Sequence, residues 1–398
     1  MLSESIAAMI SRILIVLIGF VGALPALAQQ WEPYSELGDL YPAYTIAVAN
    51  LVPDADEQKD KTLLGDLNGV LGITFIPAHP DTRVRVDIRS DNGLQLFDAA
   101  RIDVVASTVG KKYLIRPQIV FDPNRLASIV QPVTTYITYI LTIDGHRQQP
   151  RTERLQVRSI NDCPYAFVDE NEQATPIDFT FAAYVNEDHP WIQDMVEEAL
   201  RKKYVNTFDG YQTSKLGVYR QVQAIWRVLQ DRDIRYSTID NVAPAASGVL
   251  SQHVRLLDES IRDAQSNCVD GAVLLASLLR RVGINPILVI LPGHMIVGFD
   301  LDEEGEEQAY LETTLLGVDT RKAVIPANRL YKSLTGASVS QKVQLAASAF
   351  IVALESGTAT FNRSKTSIRR KKDGYALVDI AVARQAGIIP IMYVGPHR

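Results

Sequence analysis

The segment 266–283, which reads SNCVDGAVLLASLLRRVG, constrains the fold more than any other part of the chain. Asn267 is a good helix N-cap, and Asp270 three residues later forms something close to a capping box. The run 272–282 is apolar except for three residues, Ser277, Arg280 and Arg281. Gly283 is placed to end the helix. The pattern therefore predicts a largely buried helix, which requires a domain with a substantial core.

The same pattern places Cys268 at the first helical position. A thiol there lies beside unpaired backbone N–H groups and the positive end of the helix dipole, and both favour the thiolate. A cysteine in such a position can be a nucleophile at neutral pH, whereas a cysteine in the middle of a helix is inert packing. Cys268 is thus the candidate nucleophile, and Asp270 is most simply a cap.

A β-hairpin is predicted after this helix. Its parts are the β-rich run 286–291, the Pro292-Gly293 turn, a strand starting at His294, an acidic loop at 300–307 and a returning strand at 308–314. If His294 and Glu312 pair across the hairpin, the turn centres on Glu303, close to the middle of that loop. Residues directly opposite each other have Cβ atoms roughly 4.5–5.5 Å apart on one face of the sheet. The sequence therefore predicts a carboxylate that orients an imidazole, and the imidazole can take the thiol proton and later protonate a leaving group.

Three segments, NCVDGAVLLASLLRRVGI, PGHMIVGF and YLETT, resemble the core of the transglutaminase-like superfamily of papain-type cysteine enzymes. That core places a Cys at the start of a buried helix, a His on one strand and an acidic residue on the adjacent strand. Cys268, His294 and Glu312 match it in order and spacing. The resemblance covers residues 180–395 and implies an α+β domain that performs acyl transfer.

Two features depart from the pattern of that superfamily. The third member is usually Asp, whereas Glu312 has a longer reach. The usual oxyanion-hole side chain is not identifiable. The backbone N–H of Cys268 would be one donor, and Tyr236 or Gln252 are the alternatives for another.

The chain before residue 165 has the pattern of a β domain. Val84, Val86 and Ile88 alternate with polar residues, then 90–93 forms a turn and the alternation resumes at 94–96. Further strand-like runs are 102–106, 113–121, 136–143 and 155–160. Short strands at regular spacing predict an all-β, sandwich-like domain over residues 31–165. The transglutaminase-like α+β domain is predicted over 175–398, with further helices at 191–204, 218–229 and 252–263.

Residues 1–28 predict a signal peptide. Arg12 precedes the apolar run 13–24, and Ala26-Leu27-Ala28 is an A-x-A cleavage site. The apolar run is short for a transmembrane helix, although an uncleaved N-terminal anchor is the alternative. We therefore expect a periplasmic or secreted protein with no stable membrane insertion after cleavage.

Charge and composition exclude several function classes. A net charge of −6 gives no general attraction to nucleic acid, and two cysteines with six scattered histidines do not indicate a metal site. The loop 300–307 fits the first half of an EF-hand, but position twelve is Leu311 instead of Glu, so a calcium site is rejected. The basic run 363–372 is expected to be a solvated loop, with contact to an anionic polymer as the alternative.

The sequence favours an exported cysteine-dependent enzyme that hydrolyses a peptide or amide bond without a metal or organic cofactor. Cys268 attacks, His294 carries the proton and Glu312 orients His294. The implied partner is a protein or peptide substrate, and no oligomeric state is indicated. One competing interpretation is a structural disulfide between Cys163 and Cys268, which would remove the nucleophile. The other is a non-catalytic envelope binding or scaffold protein with a degenerate site.

Overall fold

A computed structural model describes residues 30–53, 57–91, 94–168, 172–237, 248–317, 329–335 and 341–395. The predicted signal peptide, residues 1–28, lies outside these described residues. The protein is a mixed α/β chain with several sheets, and it divides into two compact units. Of the described residues, the first unit takes those up to Thr180 together with 248–252 and 386–395. The second unit takes 181–237 and 253–385.

The first unit is built mainly of short strands. Its strands are β1 (Gln30–Ser35), β2 (Leu63–Gly65), β3 (Leu71–Ile76), β4 (Thr82–Asp91), β5 (Ala100–Ala106), β6 (Tyr113–Arg116), β7 (Val133–Ile143), β8 (His146–Arg147), β9 (Arg151–Val157), β10 (Asp162–Val168), β11 (Ala174–Pro176) and β13 (Val249–His253, whose last residue falls in the second unit). Its helices are α1 (Pro42–Val48), α2 (Pro123–Ala127) and a 3₁₀ turn at Glu57–Lys59.

These strands form three sheets in the orders β1-β3-β6-β2, β5-β4-β7-β8 with β9 also paired to β7, and β11-β10-β13. The predicted alternation in β4 is confirmed, because Val84, Val86 and Ile88 are all buried. The predicted return of a strand at 94–96 is wrong, since β5 begins only at Ala100. Leu96 and Phe97 are instead buried in a loop, where the ring of Phe97 packs edge-on against that of Phe121 at 5.1 Å.

The second unit combines helices with an antiparallel sheet. Its helices are α3 (Pro190–Arg201), α4 (Lys215–Asp231), α5 (Leu257–Arg262), α6 (Cys268–Arg281), α7 (Arg329–Thr335), α8 (Gln341–Arg369), α9 (Ile380–Gln385) and a 3₁₀ turn at Thr313–Leu315. A further 3₁₀ segment, Asp178–Tyr184, runs from the first unit into the second. Its strands are β12 (Arg235–Tyr236), β14 (Gln265–Ser266), β15 (Pro286–Leu291), β16 (His294–Asp300), β17 (Gln308–Leu311) and β18 (Ala376–Asp379).

The main sheet of this unit has the order β17-β16-β15-β18, and all its neighbours are antiparallel. The buried helix α6 packs against β15 and β16, as its apolar sequence predicts. Helix α8 packs against β17, and Gly357 permits the close approach. A Cβ atom at Gly357 would lie 2.6 Å from the carbonyl oxygen of Tyr310.

Two predicted elements differ from the structure. The helix expected over 252–263 is shorter, since β13 occupies 249–253 and α5 begins at Leu257. The basic run expected to be a loop is helical as far as Arg369, because Phe361 and Ile368 give that stretch an apolar side that packs on the main sheet. No helix in the part of the chain that the structure describes has both the length and the apolar character to cross a bilayer.

Candidate active site

The start of helix α6 has the geometry that the capping pattern predicts. The Asn267 Oδ1 atom accepts hydrogen bonds from the N–H groups of Val269 (2.8 Å) and Asp270 (2.9 Å). In return, Asp270 Oδ2 accepts from the Asn267 N–H at 3.1 Å. Cys268 is the first helical residue and is partly exposed. The cap therefore uses the donors on either side of Cys268, and the N–H of Cys268 itself has no acceptor among the described residues.

His294, the first residue of β16, lies between Cys268 and Glu312. Its Nε2 atom is 2.8 Å from Glu312 Oε2. The side chain of Cys268 is the other neighbour of the imidazole, and it acts on the pKa of His294. Because Nε2 is engaged by the carboxylate, Nδ1 is the ring nitrogen that serves the sulfur. The structure thus brings the three predicted residues together, with His294 between the sulfur and the carboxylate.

The electrostatics of Cys268, His294 and Glu312 favour a protonated imidazole. Hydrogen bonding to Cys268 is the largest contribution, and with the Glu312 hydrogen bond it raises the pKa of His294 to about 10 against the opposing effect of burial. Burial raises the pKa of Glu312, but hydrogen bonds from His294 and Thr314 outweigh that effect and lower the pKa below its ordinary value. The raised pKa of His294 and the lowered pKa of Glu312 both indicate an ionised Glu312 beside an imidazolium.

The predicted register of the hairpin is wrong by two residues, which is one full period of the alternation of side chains between the two faces of the strand. Val297 pairs with Leu311, so the position of Glu312 falls opposite Ile296 and not opposite His294. Gly305 adopts φ +68° and, with Asp302 accepting from the N–H of Glu306, centres the loop one residue later than expected. His294 and Glu312 are therefore diagonal neighbours on one face, a separation of roughly 7–8 Å between backbones that a long side chain can bridge. This explains why a glutamate serves here.

The carboxylate of Glu312 is held on its second oxygen as well. Its Oε1 atom accepts from the Thr314 hydroxyl at 2.7 Å and from the Thr314 N–H at 3.2 Å. The backbone N–H of Glu312 donates to the Ala353 carbonyl of α8 at 3.1 Å. The side chain is only 8% exposed. Glu312 is thus fixed by its own turn and by a helix that lies behind the strand.

The turn after Glu312 also contacts the start of α6. The Thr313 hydroxyl lies 3.5 Å from the carbonyl oxygen of Cys268. Gly271 makes this approach possible, because a Cβ atom there would lie 3.1 Å from Thr313. The turn that follows Glu312 and the helix that carries the cysteine are therefore in direct contact.

Asp270 does more than the predicted capping. Its Oδ1 atom accepts from the Arg255 N–H at 2.9 Å, and its Oδ2 atom accepts from the Arg255 guanidinium at 2.7 Å. The Asp270 side chain is fully buried and that of Arg255 is 12% exposed. This buried ion pair ties the segment before α5 to the first turn of α6.

The remaining candidate residues lie in separate places. Cys163 is a free, fully buried thiol in β10 of the first unit, and burial with the nearby Asp178 and Asp162 raises its pKa well above the ordinary value. Cys268 is also free, so the competing disulfide is not formed. Tyr236 stands beside Ser266 in the parallel β12–β14 pair, two residues before Cys268, whereas Gln252 belongs to β13 of the first unit.

The acidic hairpin loop is closed by protein contacts. Lys215 Nζ lies 2.6 Å from Glu307 and 3.4 Å from Asp302. Asp300 accepts from the side-chain amides of Asn285 and Gln308. Across the described ranges, no group of three or more His, Cys, Asp or Glu side chains is arranged to hold a metal ion.

Sequence reasoning missed the residues that support the three side chains. Thr314 has a usable signal, since a hydroxyl residue two positions after a carboxylate is typical of a local side-chain turn. Arg255 and Ala353 have no such signal, because their contacts join segments that are distant along the chain. Comparisons with protein-family models, curated proteins and solved structures gave no match.

The diagonal placement of Glu312 predicts that Glu312→Asp breaks the hydrogen bond to His294. An aspartate is one methylene shorter, and the Ala353 contact prevents the backbone from moving closer. We expect the pKa of His294, followed by NMR titration of the labelled imidazole, to fall by at least about one unit, which is about 1.4 kcal/mol. Glu303→Asp, in the exposed loop, is the control. An unchanged titration in Glu312→Asp would show that the longer side chain is not required.

Proposed function

We propose that this protein is a cysteine-dependent acyl-transfer enzyme that hydrolyses a peptide or amide bond. The observation that carries the proposal is the position of His294 between Cys268 and the carboxylate of Glu312, with the sulfur at a helix start and partly exposed. The resemblance of these segments to the transglutaminase-like superfamily supports the same assignment.

The chemistry follows from the positions of the donors. The Cys268 thiolate attacks the carbonyl carbon, and the displaced electron pair moves to the oxygen. The Cys268 N–H, which has no acceptor among the described residues, would stabilise that oxygen. The C–N bond then breaks as the His294 imidazolium gives its Nδ1 proton to the leaving amine. This leaves a thioester and a neutral imidazole.

Water completes the cycle in the proposed reaction. Neutral His294 takes a proton from water, and the resulting hydroxide adds to the thioester carbon. Collapse releases the acid and regenerates the thiolate–imidazolium pair. Glu312 holds the ring by accepting a hydrogen bond from Nε2–H throughout. Water is the default acceptor, since no feature of the described residues identifies a site for a second amine.

The proposal also includes the architecture and location that the sequence predicts. The first unit would be a β-sandwich that supports or recognises a partner, and the second would be a transglutaminase-like domain. The protein would act outside the cytoplasm, in the periplasm or after secretion. The buried, unreactive surroundings of Cys163 are compatible with a single reactive thiol.

A cysteine-directed covalent probe tests the proposal, because the chain has only two cysteines. We expect brief treatment of the native protein with iodoacetamide at pH 6 to label Cys268 alone, as mapped by mass spectrometry. Cys268→Ala should lose at least about 90% of the label, whereas the matched control Cys163→Ala should retain it. Reaction of Cys268 no faster than that of a denatured thiol would favour the non-catalytic scaffold and contradict the proposed function.

A further inference from the structure

The end of helix α8 carries a group of cations beside the candidate site. We infer that the cationic turn, defined as Arg370, Lys371 and Lys372, binds carboxylate groups of the substrate, so that the substrate class is an acidic peptide. This inference rests on the proposed function. Three observations carry it. The cations form no ion pair among the described residues, the turn lies close to the hairpin of His294, and the backbone of the turn has a defined conformation.

The cations of this region are unpaired. Arg363, Lys365, Arg369 and the three residues of the cationic turn are exposed, and no ion pair in the part of the chain that the structure describes involves them. Most other cations of the second unit do pair with a carboxylate, including Lys202, Lys215, Arg232, Arg255, Arg281 and Arg384. In a chain with a net charge of −6, this is a local concentration of uncompensated positive charge.

The cationic turn lies close to the hairpin that carries His294. A Cβ atom on Gly374 would lie 3.4 Å from the side chain of Pro292, two residues before His294. Tyr375 packs against the cluster that contains Leu291 and Ile296. Since a residue spans at most about 3.6 Å, Lys372 lies within roughly 20 Å of His294. A peptide of six residues covers that distance when extended.

The turn has a defined backbone conformation. The N–H of Lys371 donates to the Ile368 carbonyl at 2.9 Å, and the N–H of Lys372 donates to the Ser367 carbonyl at 3.1 Å. Lys371 adopts φ +48°, as expected for the left-handed residue that ends a helix. The backbone of the cationic turn therefore has one defined arrangement. Glycine is also well suited to position 371, which allows that charge to be removed without strain.

The experiment uses fluorescein-labelled hexaglutamate as the probe and the full mature protein. Binding is measured by fluorescence anisotropy at about 20 mM and about 150 mM salt, because screening distinguishes charge contacts from apolar ones. The test variant is R370Q/K371G/K372Q. The matched control, R220Q/R329Q/K332Q, removes three exposed cations from α4 and α7, where Arg220 donates to the Ser333 carbonyl. Arg220 lies five residues after Lys215 on α4. Lys215 pairs with the loop that follows the last residue of β16, whereas His294 is the first residue of that strand.

We expect the test variant to bind hexaglutamate about tenfold more weakly than the wild type at the lower salt, and the control variant to bind it unchanged. Bound hexaglutamate should also slow the alkylation of Cys268 by neutral iodoacetamide. Equal losses in the two variants, or no binding by the wild type, would overturn the inference. So would binding that leaves the alkylation rate unchanged, because the turn would then serve something other than the site. Failure of the proposed function appears separately, as slow alkylation of Cys268 without any peptide.

Discussion

Replacing His294 with alanine should slow the alkylation of Cys268 by iodoacetamide at pH 6 by about 10²–10³-fold. The wild-type imidazolium stabilises the thiolate through its hydrogen bond, and the variant lacks that partner. The His294 imidazolium should persist between about pH 6 and pH 8, since the pKa of His294 is raised to about 10. The rate of the wild type should therefore depend less on pH in this range than the rate of the variant.

The measurement is the rate constant of alkylation as a function of pH, with His146→Ala as the control. His146 is an exposed histidine of β8 in the first unit, so its replacement should leave the profile unchanged. Hydrolysis of an amide substrate should fall further than alkylation, because the variant also lacks the acid that protonates the leaving amine. If the pH profile of the alkylation rate in His294→Ala matches that of the wild type, His294 does not control the reactivity of the sulfur.

The same protonation affects stability, and its sign follows from the raised pKa. The folded protein holds the His294 proton more tightly than the unfolded chain, whose histidine has an ordinary pKa near 6.5. The imidazolium therefore contributes its full stabilisation below about pH 6.5 and loses it as the pH rises through about 10. His294→Ala should accordingly lower the melting temperature more at pH 6 than at pH 10.

The position of Cys268 could be predicted from sequence because it depends on neighbours along the chain. Asn267 and Asp270 form the cap within one turn of helix, and Gly283 at φ +77° ends α6 as expected. The strand 286–291 was also predictable, since its apolar run is bounded by turn residues. Local rules were sufficient wherever the determining contacts are local.

The register of Glu312 could not be predicted in the same way. The pairing of His294 with Glu312 was an inference from distance along the chain, and two extra loop residues move the carboxylate to a diagonal position. A shift by two residues keeps both side chains on one face, so the hydrogen bond between His294 and Glu312 can still form. A shift by one would have placed them on opposite faces.

Tertiary packing caused the remaining differences between the predicted and the observed structure. The basic run 363–372 has the composition of a solvated loop, but Phe361 stacks on the ring of Tyr310 at 3.7 Å and extends α8 across the sheet. Arg255 gives no local signal, since its partner Asp270 is fifteen positions away along the chain. Both contacts become visible only when the sheet and α6 are in place.

Replacing Asp270 with alanine should lower the free energy of unfolding of the second unit by about 3–5 kcal/mol. The substitution leaves the Arg255 guanidinium, which is only 12% exposed, without its carboxylate. It also leaves the N–H groups of Asn267 and Arg255 without their acceptor. Loss of the Asp270 carboxylate is costly both to a buried charge and to two backbone donors, and these losses occur together at the start of the helix that carries Cys268.

Urea unfolding followed by tryptophan fluorescence measures this effect. Of the three tryptophans, Trp31 lies in the first unit, whereas Trp191 and Trp226 lie in the second. A Trp31→Phe background therefore makes the signal specific to the unit that contains Asp270. Arg255→Met should also destabilise. The double variant should lose less than the two single losses added together, because it removes both charges of the Arg255–Asp270 pair. Strict additivity would show that Arg255 and Asp270 do not act as a pair, and the first turn of α6 would then depend on the Asn267 cap alone.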